Sequence, residues 1–322
     1  MMQYHNPRSG SIVDRPIPGR LDHRVSGTAG KRGSERFSSP AQDGSPMKYV
    51  TKADGSLQPF DREKVRRTLR NMGLGAEDAD RIADEIEVSV PSGVKTTAVL
   101  RMIRARARAV RPAVAHRTNL RRALALIRPK PEFEEFVRVL LREHGYRVET
   151  GCILAGRCGE HEVDAVAQKD DATIFVEVKH HANHHRMTGL DEGRIARAIV
   201  EDLQEGFRAG RCAISIDGAL IVCNTKLSAH AKRYATCRGI GHIGWDYPVE
   251  QNLRTMIETT QSYPVTIVAG VSPSVSARLA AAGFLTAKQV AYGDATAIAH
   301  DAGIPLREVL LIAGRARAIL EP

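Results

Sequence analysis

The run Ile174-Phe175-Val176-Glu177-Val178-Lys179 is apolar enough for the interior of a sheet, yet two charged side chains stand in it. Successive side chains of an extended segment point to opposite faces, so Glu177 and Lys179 share one face. Burying charged groups on such a face is costly unless they are paired or used. The flanking pattern fits a strand of an α/β sheet. An apolar helical stripe, Phe133, Phe136, Val137, Leu140 and Leu141, precedes a break at Gly145. Period-2 alternation follows at Tyr146–Glu149, Glu162–Ala167 and Thr173–Lys179. A helix is predicted over about 190–208, a buried strand at Ala219–Cys223 and a helix over about 226–236. A short strand at Ile240–Trp245 and a helix over about 249–260 complete the segment. Strands alternating with helices argue for a sheet flanked by helices.

Breaks in composition divide the chain further. Residues 1–46 are rich in Gly, Ser, Pro and Arg and lack periodicity, which predicts a disordered tail, or sequence upstream of a true start at Met47. Residues 47–128 predict a hairpin over 48–60 around Asp54-Gly55, then helices at about 62–71, 77–87, 96–110 and 114–127. Asp61 is placed to cap the first of these, which buries Val65 and Leu69. Pro129-Lys130-Pro131 opens the α/β segment, 129–263. Residues 264–322 predict a small all-α module. The fold class expected is therefore multidomain α/β.

Charge is unevenly spread. The chain carries a net +10, and residues 47–130 alone carry +10; 1–46 carry +3, 131–263 carry −4 and 264–322 carry +1. One segment is suited to phosphates and another to cations. No run is long and apolar enough for a bilayer span, and no apolar stretch follows the first Met, so a membrane partner and a secretory signal are not expected. Five cysteines without a C-x-x-C pair argue against a disulfide scaffold or zinc ribbon and for reduced thiols in the cytoplasm. Cys152 and Cys158 are expected to be ordinary core or loop thiols.

Asp164 stands near the end of the strand before Glu177, where it reaches the same sheet edge across the hairpin. Two carboxylates and an ammonium then converge. Hard carboxylate oxygens suit Mg²⁺ or Mn²⁺. Such an ion polarises a phosphodiester and acidifies a bound water, which Lys179 orients or deprotonates. FEEFVRVLLREHGYRVE, HEVDAVA and FVEVK together resemble the PD-(D/E)xK nuclease superfamily, closest to its Mrr-like restriction-endonuclease branch. The resemblance implies that Asp164 and Glu177 bind metal, that Lys179 is the catalytic lysine and that Glu134 or Glu135 is the helix carboxylate. Val163 stands where the motif has Pro. His180, His181, His184 and His185 follow directly; they read either as added metal or phosphate contacts, with His180 foremost, or as a solvated loop.

VTKADGSLQPFDREKV resembles the ATP-cone, a small regulatory nucleotide-binding domain, over about 48–125. Val50, Lys52, Asp54, Gly55, Phe60, Asp61 and Lys64 match its pattern. The resemblance implies that Lys52 and Lys64 contact phosphates of ATP or dATP, that Val50 lies near the base, and that Thr96 or Thr97 touches the nucleotide. Ala53 and His116 depart from the pattern, and without a Walker A motif hydrolysis of ATP is not implied. The arginines of RMIRARARAVR outnumber what one nucleotide needs, which leaves DNA contact by the same domain open. VAGVSPSVSARLAAAGF resembles a helix-hairpin-helix, with Gly270, Val271 and Ala277 in place and Ser272 for the second Gly; either DNA-backbone binding or helical packing would use it.

Together these features lead to the expectation of a nucleotide-regulated, Mg²⁺-dependent DNA endonuclease with Asp164, Glu177, Lys179 and Glu134 in its site. The partners are DNA, a nucleotide effector and, if regulation works through assembly, a second copy of the chain. Two other readings stand beside it: an ATP- or dATP-sensing DNA-binding regulator with an inactive nuclease fold, and a structure-specific resolvase.

Overall fold

The structure, a computed structural model, describes residues 47–116 and 119–321. The tail expected over 1–46 and the side chain of His116 lie outside the described residues. The chain forms two compact units. One is Pro129–Thr260; the other joins the described residues up to Arg128 with those from Gln261 onward. No described helix is long and apolar enough to cross a membrane.

The second unit begins with strands β1 (Tyr49–Thr51) and β2 (Leu57–Pro59), paired antiparallel. Helix α1 (Arg62–Asn71) starts where the Asp61 carboxylate accepts the Lys64 N–H, the cap expected from sequence. Helix α2 (Ala76–Ser89), strand β3 (Val94–Lys95, parallel to β1) and helix α3 (Thr96–Val110) follow. Val65, Leu69, Ile82, Ile86, Val99 and Ile103 are buried together between the helices. The helix expected at 114–127 is shorter. A 3₁₀ turn occupies Pro112–His116, and α4 (Leu120–Ala125) restarts at Asn119, whose side chain accepts two backbone N–H groups.

The first unit opens with α5 (Glu134–Glu143). Three strands follow as an antiparallel meander: β4 (Arg147–Ala155), β5 (Glu160–Lys169) and β6 (Ala172–Lys179). β4 extends beyond the segment expected, because Thr150, Gly151 and Cys152 interrupt the apolar alternation without breaking the ladder. A short strand β7 (Met187–Thr188) precedes α6 (Asp191–Arg208) and β8 (Gly218–Cys223), which runs parallel to β6. Then come β9 (Lys226–Leu227, paired with β7), α7 (Ala229–Arg238), β10 (Gly241–Ile243) and α8 (Leu253–Thr260). The result is a five-stranded mixed sheet in the order β10-β8-β6-β5-β4 with flanking helices. Every residue of β8 is buried, as expected for a central parallel strand covered on both faces. Ala196, Val200 and Leu203 of α6 pack on Val166, Phe175, Ala219 and Ile221.

The second unit resumes with a 3₁₀ turn, Val265–Ile267, and helices α9 (Pro273–Ala281), α10 (Ala287–Tyr292), α11 (Ala295–Asp301) and α12 (Leu306–Leu320). Thr266 Oγ1 donates to the Ala123 carbonyl at 2.8 Å, tying this part to α4. Two glycine turns here are braced reciprocally. Arg315 of α12 donates to Ala269 O at 2.8 Å, beside Gly270, and Arg278 of α9 donates to Ala302 O at 3.0 Å, beside Gly303. A Cβ at Gly270 would collide with the Arg315 guanidinium, and both glycines hold positive φ. In the first turn the Val271 N–H is engaged by Val268 O at 3.2 Å.

Candidate active site

β5 and β6 pair antiparallel with Ala165 opposite Val176. Asp164 and Glu177 are the next pair outward, at the end of the ladder. The Asp164 carboxylate turns back onto β6, where Oδ2 accepts the Val178 N–H at 2.7 Å. Along β6, Phe175, Glu177 and Lys179 alternate onto one face. Phe175 is fully buried in the core beneath α6, whereas Glu177 and Lys179 lie farther along, where solvent reaches them. This resolves the conflict in the sequence: one strand is core at its centre and site at its end.

Glu134 comes from the first turn of α5. Lys130 Nζ bridges its Oε1, at 3.0 Å, and Asp164 Oδ1, at 3.4 Å. The two carboxylate side chains are only 12% and 10% exposed, while that of Lys130 is 67% exposed. Arg138, one turn along α5, donates to the Asp164 carbonyl at 2.8 Å and lies 3.9 Å from Glu134 Oε2. Sequence could not choose between Glu134 and Glu135. In the fold Glu134 stands beside Asp164, and Glu135 is taken up by Arg138 at 2.7 Å and Arg142 at 3.1 Å.

Lys179 Nζ lies 2.8 Å from Glu177 Oε1 and 3.2 Å from Glu192 Oε2. Glu192, in the first turn of α6, was not singled out from the sequence. Its only signal there is an acid at a helix start, which commonly does no more than answer the helix dipole.

Burial pushes the Glu134 carboxyl up, the hydrogen bond from Lys130 opposes this, and the charge of Asp164 adds to the rise. Burial likewise pushes Glu177 up, against its hydrogen bond with Lys179. For Lys179 burial works against the charge, but Glu177 and Glu192 outweigh it and hold the ammonium above its ordinary value. Glu134, Asp164, Glu177 and Glu192 thus form an acidic end to the sheet, faced by Lys130, Arg138 and Lys179.

Among the described residues no group of three or more His, Cys, Asp and Glu side chains is gathered to hold a metal as it stands. The donor set nonetheless suits a divalent cation. Two nearly buried carboxylates, Glu134 and Asp164, already share one positive charge, and all their free atoms are hard oxygens.

The histidines beyond β6 are held in different ways. The His180 ring packs on Phe133 at 4.9 Å between centroids. The His181 N–H and C=O are both bonded to the side chain of Asn224, at 2.8 and 2.9 Å, and its ring nitrogen lies 3.3 Å from Thr188 Oγ1. His184 and His185 lie with ring centroids 4.2 Å apart.

The residues expected at a nucleotide site belong to the other unit. Val50 pairs with Gln58 and Val94 and packs on the core there. Lys52 begins the turn that Asp54 closes by accepting from Ser56. Lys64 Nζ lies 3.4 Å from Asp61, and Thr96 Oγ1 donates to Thr51 O at 2.9 Å. No described contact joins Lys52 to Lys64.

Compared with known families, residues 128–243 match the restriction endonuclease family of the Mrr catalytic type. Residues 128–243 are a restriction-endonuclease domain. Glu134, Asp164, Glu177, Lys179 and Glu192 all lie within that restriction-endonuclease domain. The chain is 33% identical over 182 residues to an uncharacterized protein of Archaeoglobus fulgidus, spanning 56% of this chain and 94% of the relative. It belongs to that protein's family, and the kinship is longer than the restriction-endonuclease domain alone. The crystal structure of a protein of unknown function, AF1548, matches with a TM-score of 0.50 at 29% identity, covering 59% of this chain and 97% of that one.

Proposed function

We propose that the chain is a metal-dependent DNA endonuclease that hydrolyses phosphodiester bonds at the end of the β5–β6 ladder. What supports this is that Asp164 and Glu177 stand on the two strands just beyond the Ala165–Val176 pair, with Lys179 on Glu177 and Lys130 linking Asp164 to Glu134, inside a restriction-endonuclease domain.

Asp164 and Glu177 would hold the divalent ion, and Glu134, which shares Lys130 with Asp164, is the further carboxylate that could join them. With that ion bound, the chemistry supplied is charge at the phosphoryl oxygens and a more acidic water. Lys179 carries its proton at neutral pH while Glu177 and Glu192 face it. It therefore first positions the phosphate or the water. With the Glu177 charge neutralised by a bound ion, only Glu192 would still face Lys179 and its hold on its proton would weaken; with that proton released to solvent, the neutral amine could take one from the attacking water.

Regulation is the finer part of the reading. Lys52, Lys64, Val50 and Thr96 are proposed as a site for ATP or dATP in the second unit, and the helix-hairpin-helix-like turn at Gly270 as a contact to the DNA backbone. Incubating supercoiled plasmid with Mg²⁺ or Mn²⁺, with and without ATP or dATP, tests both levels. Nicking that a Lys52→Ala/Lys64→Ala variant retains but no longer modulates with nucleotide supports the regulated nuclease. Nicking equal with and without nucleotide removes the regulation. No nicking with either metal removes the nuclease.

A further inference from the structure

Helix α3 reads Thr-Thr-Ala-Val-Leu-Arg-Met-Ile-Arg-Ala-Arg-Ala-Arg-Ala-Val and carries no acid. Val99, Ile103 and Ala107, four residues apart, are its buried stripe. Arg101, Arg104 and Arg108 lie away from that stripe and are exposed.

Several other arginines of this unit are engaged within it, while Arg67 and Arg70 of α1 are exposed like the three on α3. Arg62 pairs with Asp84, and Arg66 lies 2.8 Å from Glu63 and 3.5 Å from Asp80. Arg81 lies 2.7 Å from Asp78 and 2.9 Å from Glu85. Arg106, on the same helix as the stripe, donates to Ser89 at 2.9 Å and lies 3.5 Å from Glu85. Arg111 binds the Gly73 carbonyl. The ion pairs draw on the acids of α2 and on Glu63 in the first turn of α1. Arg101, Arg104 and Arg108 have no hydrogen-bond or ion-pair partner among the described residues.

We infer that Arg101, Arg104 and Arg108 form a contact surface for the phosphate backbone of duplex DNA. The inference rests on the nuclease reading above for why the chain needs DNA, and it names what holds that substrate. From Arg101 to Arg108 the helix advances roughly 10 Å, at about 1.5 Å per residue. Over such a distance one DNA strand presents about three phosphates, at roughly 3.4 Å of axis each. Three guanidiniums on long stems, spread along a convex helix face, match a polyanionic rod. A single nucleotide would instead need convergent donors in a concave site.

Charge balance across the chain points the same way. Residues 131–263, which carry the site, have a net charge of −4, so their carboxylates repel the backbone they are to cut. Residues 47–130, with +10, supply the attraction.

The test is duplex binding by the full chain, in EDTA so that no cleavage intervenes, read by fluorescence anisotropy between 50 and 200 mM KCl. Arg101→Gln/Arg104→Gln/Arg108→Gln is compared with Arg208→Gln/Arg233→Gln/Arg307→Gln, which removes the same charge elsewhere. Gln keeps a good helix propensity, and circular dichroism checks that α3 persists. The first variant is expected to flatten the log K against log salt slope by about 2–3, at about 0.9 per phosphate contact, and to weaken binding at least tenfold at the lowest salt. The second is expected to change the slope by less than 1. Equal losses in both variants, an unchanged slope in the first, or loss of ATP binding with duplex binding intact would each overturn the assignment. So would a wild-type chain that does not bind duplex. A wild type that binds through the stripe yet never nicks plasmid would sink the nuclease reading and leave the stripe standing.

Discussion

Lys179 at the end of β6 and Glu192 at the start of α6 meet at 3.2 Å, so the helix that covers one face of the sheet also supplies a carboxylate to the site. With Glu177 at 2.8 Å on the other side, the ammonium is held between two acids from different elements. Its position is therefore fixed by the packing of α6 on Phe175 and Ile221. In the proposed nuclease Glu192 would act through Lys179, as a positioning residue.

Removing that second carboxylate should loosen Lys179 without removing it. Glu192→Gln is expected to lower kcat by about 10–100-fold, the usual range for groups that orient a site residue. KM for DNA should change little, and Glu192→Asp should restore part of the rate. Steady-state nicking kinetics separate these outcomes; an effect confined to KM would place Glu192 in DNA binding instead.

Lys130 supplies the cation that Glu134 and Asp164 share, and it is exposed enough to leave at little cost. Lys130→Met should therefore tighten binding of Mn²⁺ in the absence of DNA. Because Lys130 itself is solvent-exposed, its hold on the carboxylates is taken as about 1 kcal/mol, the upper end for exposed pairs, which corresponds to roughly fivefold in affinity. Isothermal titration of the two proteins with Mn²⁺ reads this directly, and equal or weaker binding by Lys130→Met would show that the lysine does not compete for the place.

A pH effect is expected far from the site, at the tip of the β4–β5 hairpin. The Asp202 carboxylate of α6 accepts the Cys158 N–H at 2.8 Å and lies 2.7 Å from His161 Nε2. The hydrogen bond with His161, followed by that from Cys158, holds its pKa at about 2, below the ordinary 3.8. A depressed carboxylate contributes stability that is present above the unfolded value and lost as pH falls through the folded one. The melting-temperature gap between wild type and Asp202→Asn should therefore be full above pH 4 and close between about pH 4 and 2. A gap independent of pH would count against the carboxylate as its source.

Asn224 is fully buried and bonds both the N–H and the C=O of His181. It continues, with a side chain, the pairing of β6 with β8 that ends at Lys179 and Cys223. Asn224→Ala leaves two backbone groups without these partners, and unfolding stability in urea is expected to fall by about 1–3 kcal/mol. Asn224→Ala of wild-type stability would mean that water replaces the clamp.

Much of the architecture was legible because local rules and tertiary packing agree. Asp61 reads as a cap and caps; Phe136, Val137, Leu140 and Leu141 read as one stripe and are buried together. The Glu177 and Lys179 pair was legible from strand alternation alone. Other features are long-range and leave no local trace. The phase of α5 that turns Glu134 toward Asp164 and Glu135 toward Arg138 depends on where the helix begins, and a one-residue shift exchanges them. The Lys130 bridge and the Glu192 contact join segments distant in sequence. The bond that ties α4 to the turn Val265–Ile267 is equally invisible in a pattern that reads each segment alone.

The central claim is that Asp164, Glu177 and Lys179 together cut DNA. The most direct measurement is the rate of supercoiled-plasmid nicking in Mn²⁺ by wild type, Asp164→Asn, Glu177→Gln and Lys179→Ala, each shown to be folded. The account predicts nicking by wild type, none in EDTA and near-complete loss in all three variants. Equal nicking by wild type and the three variants would contradict it.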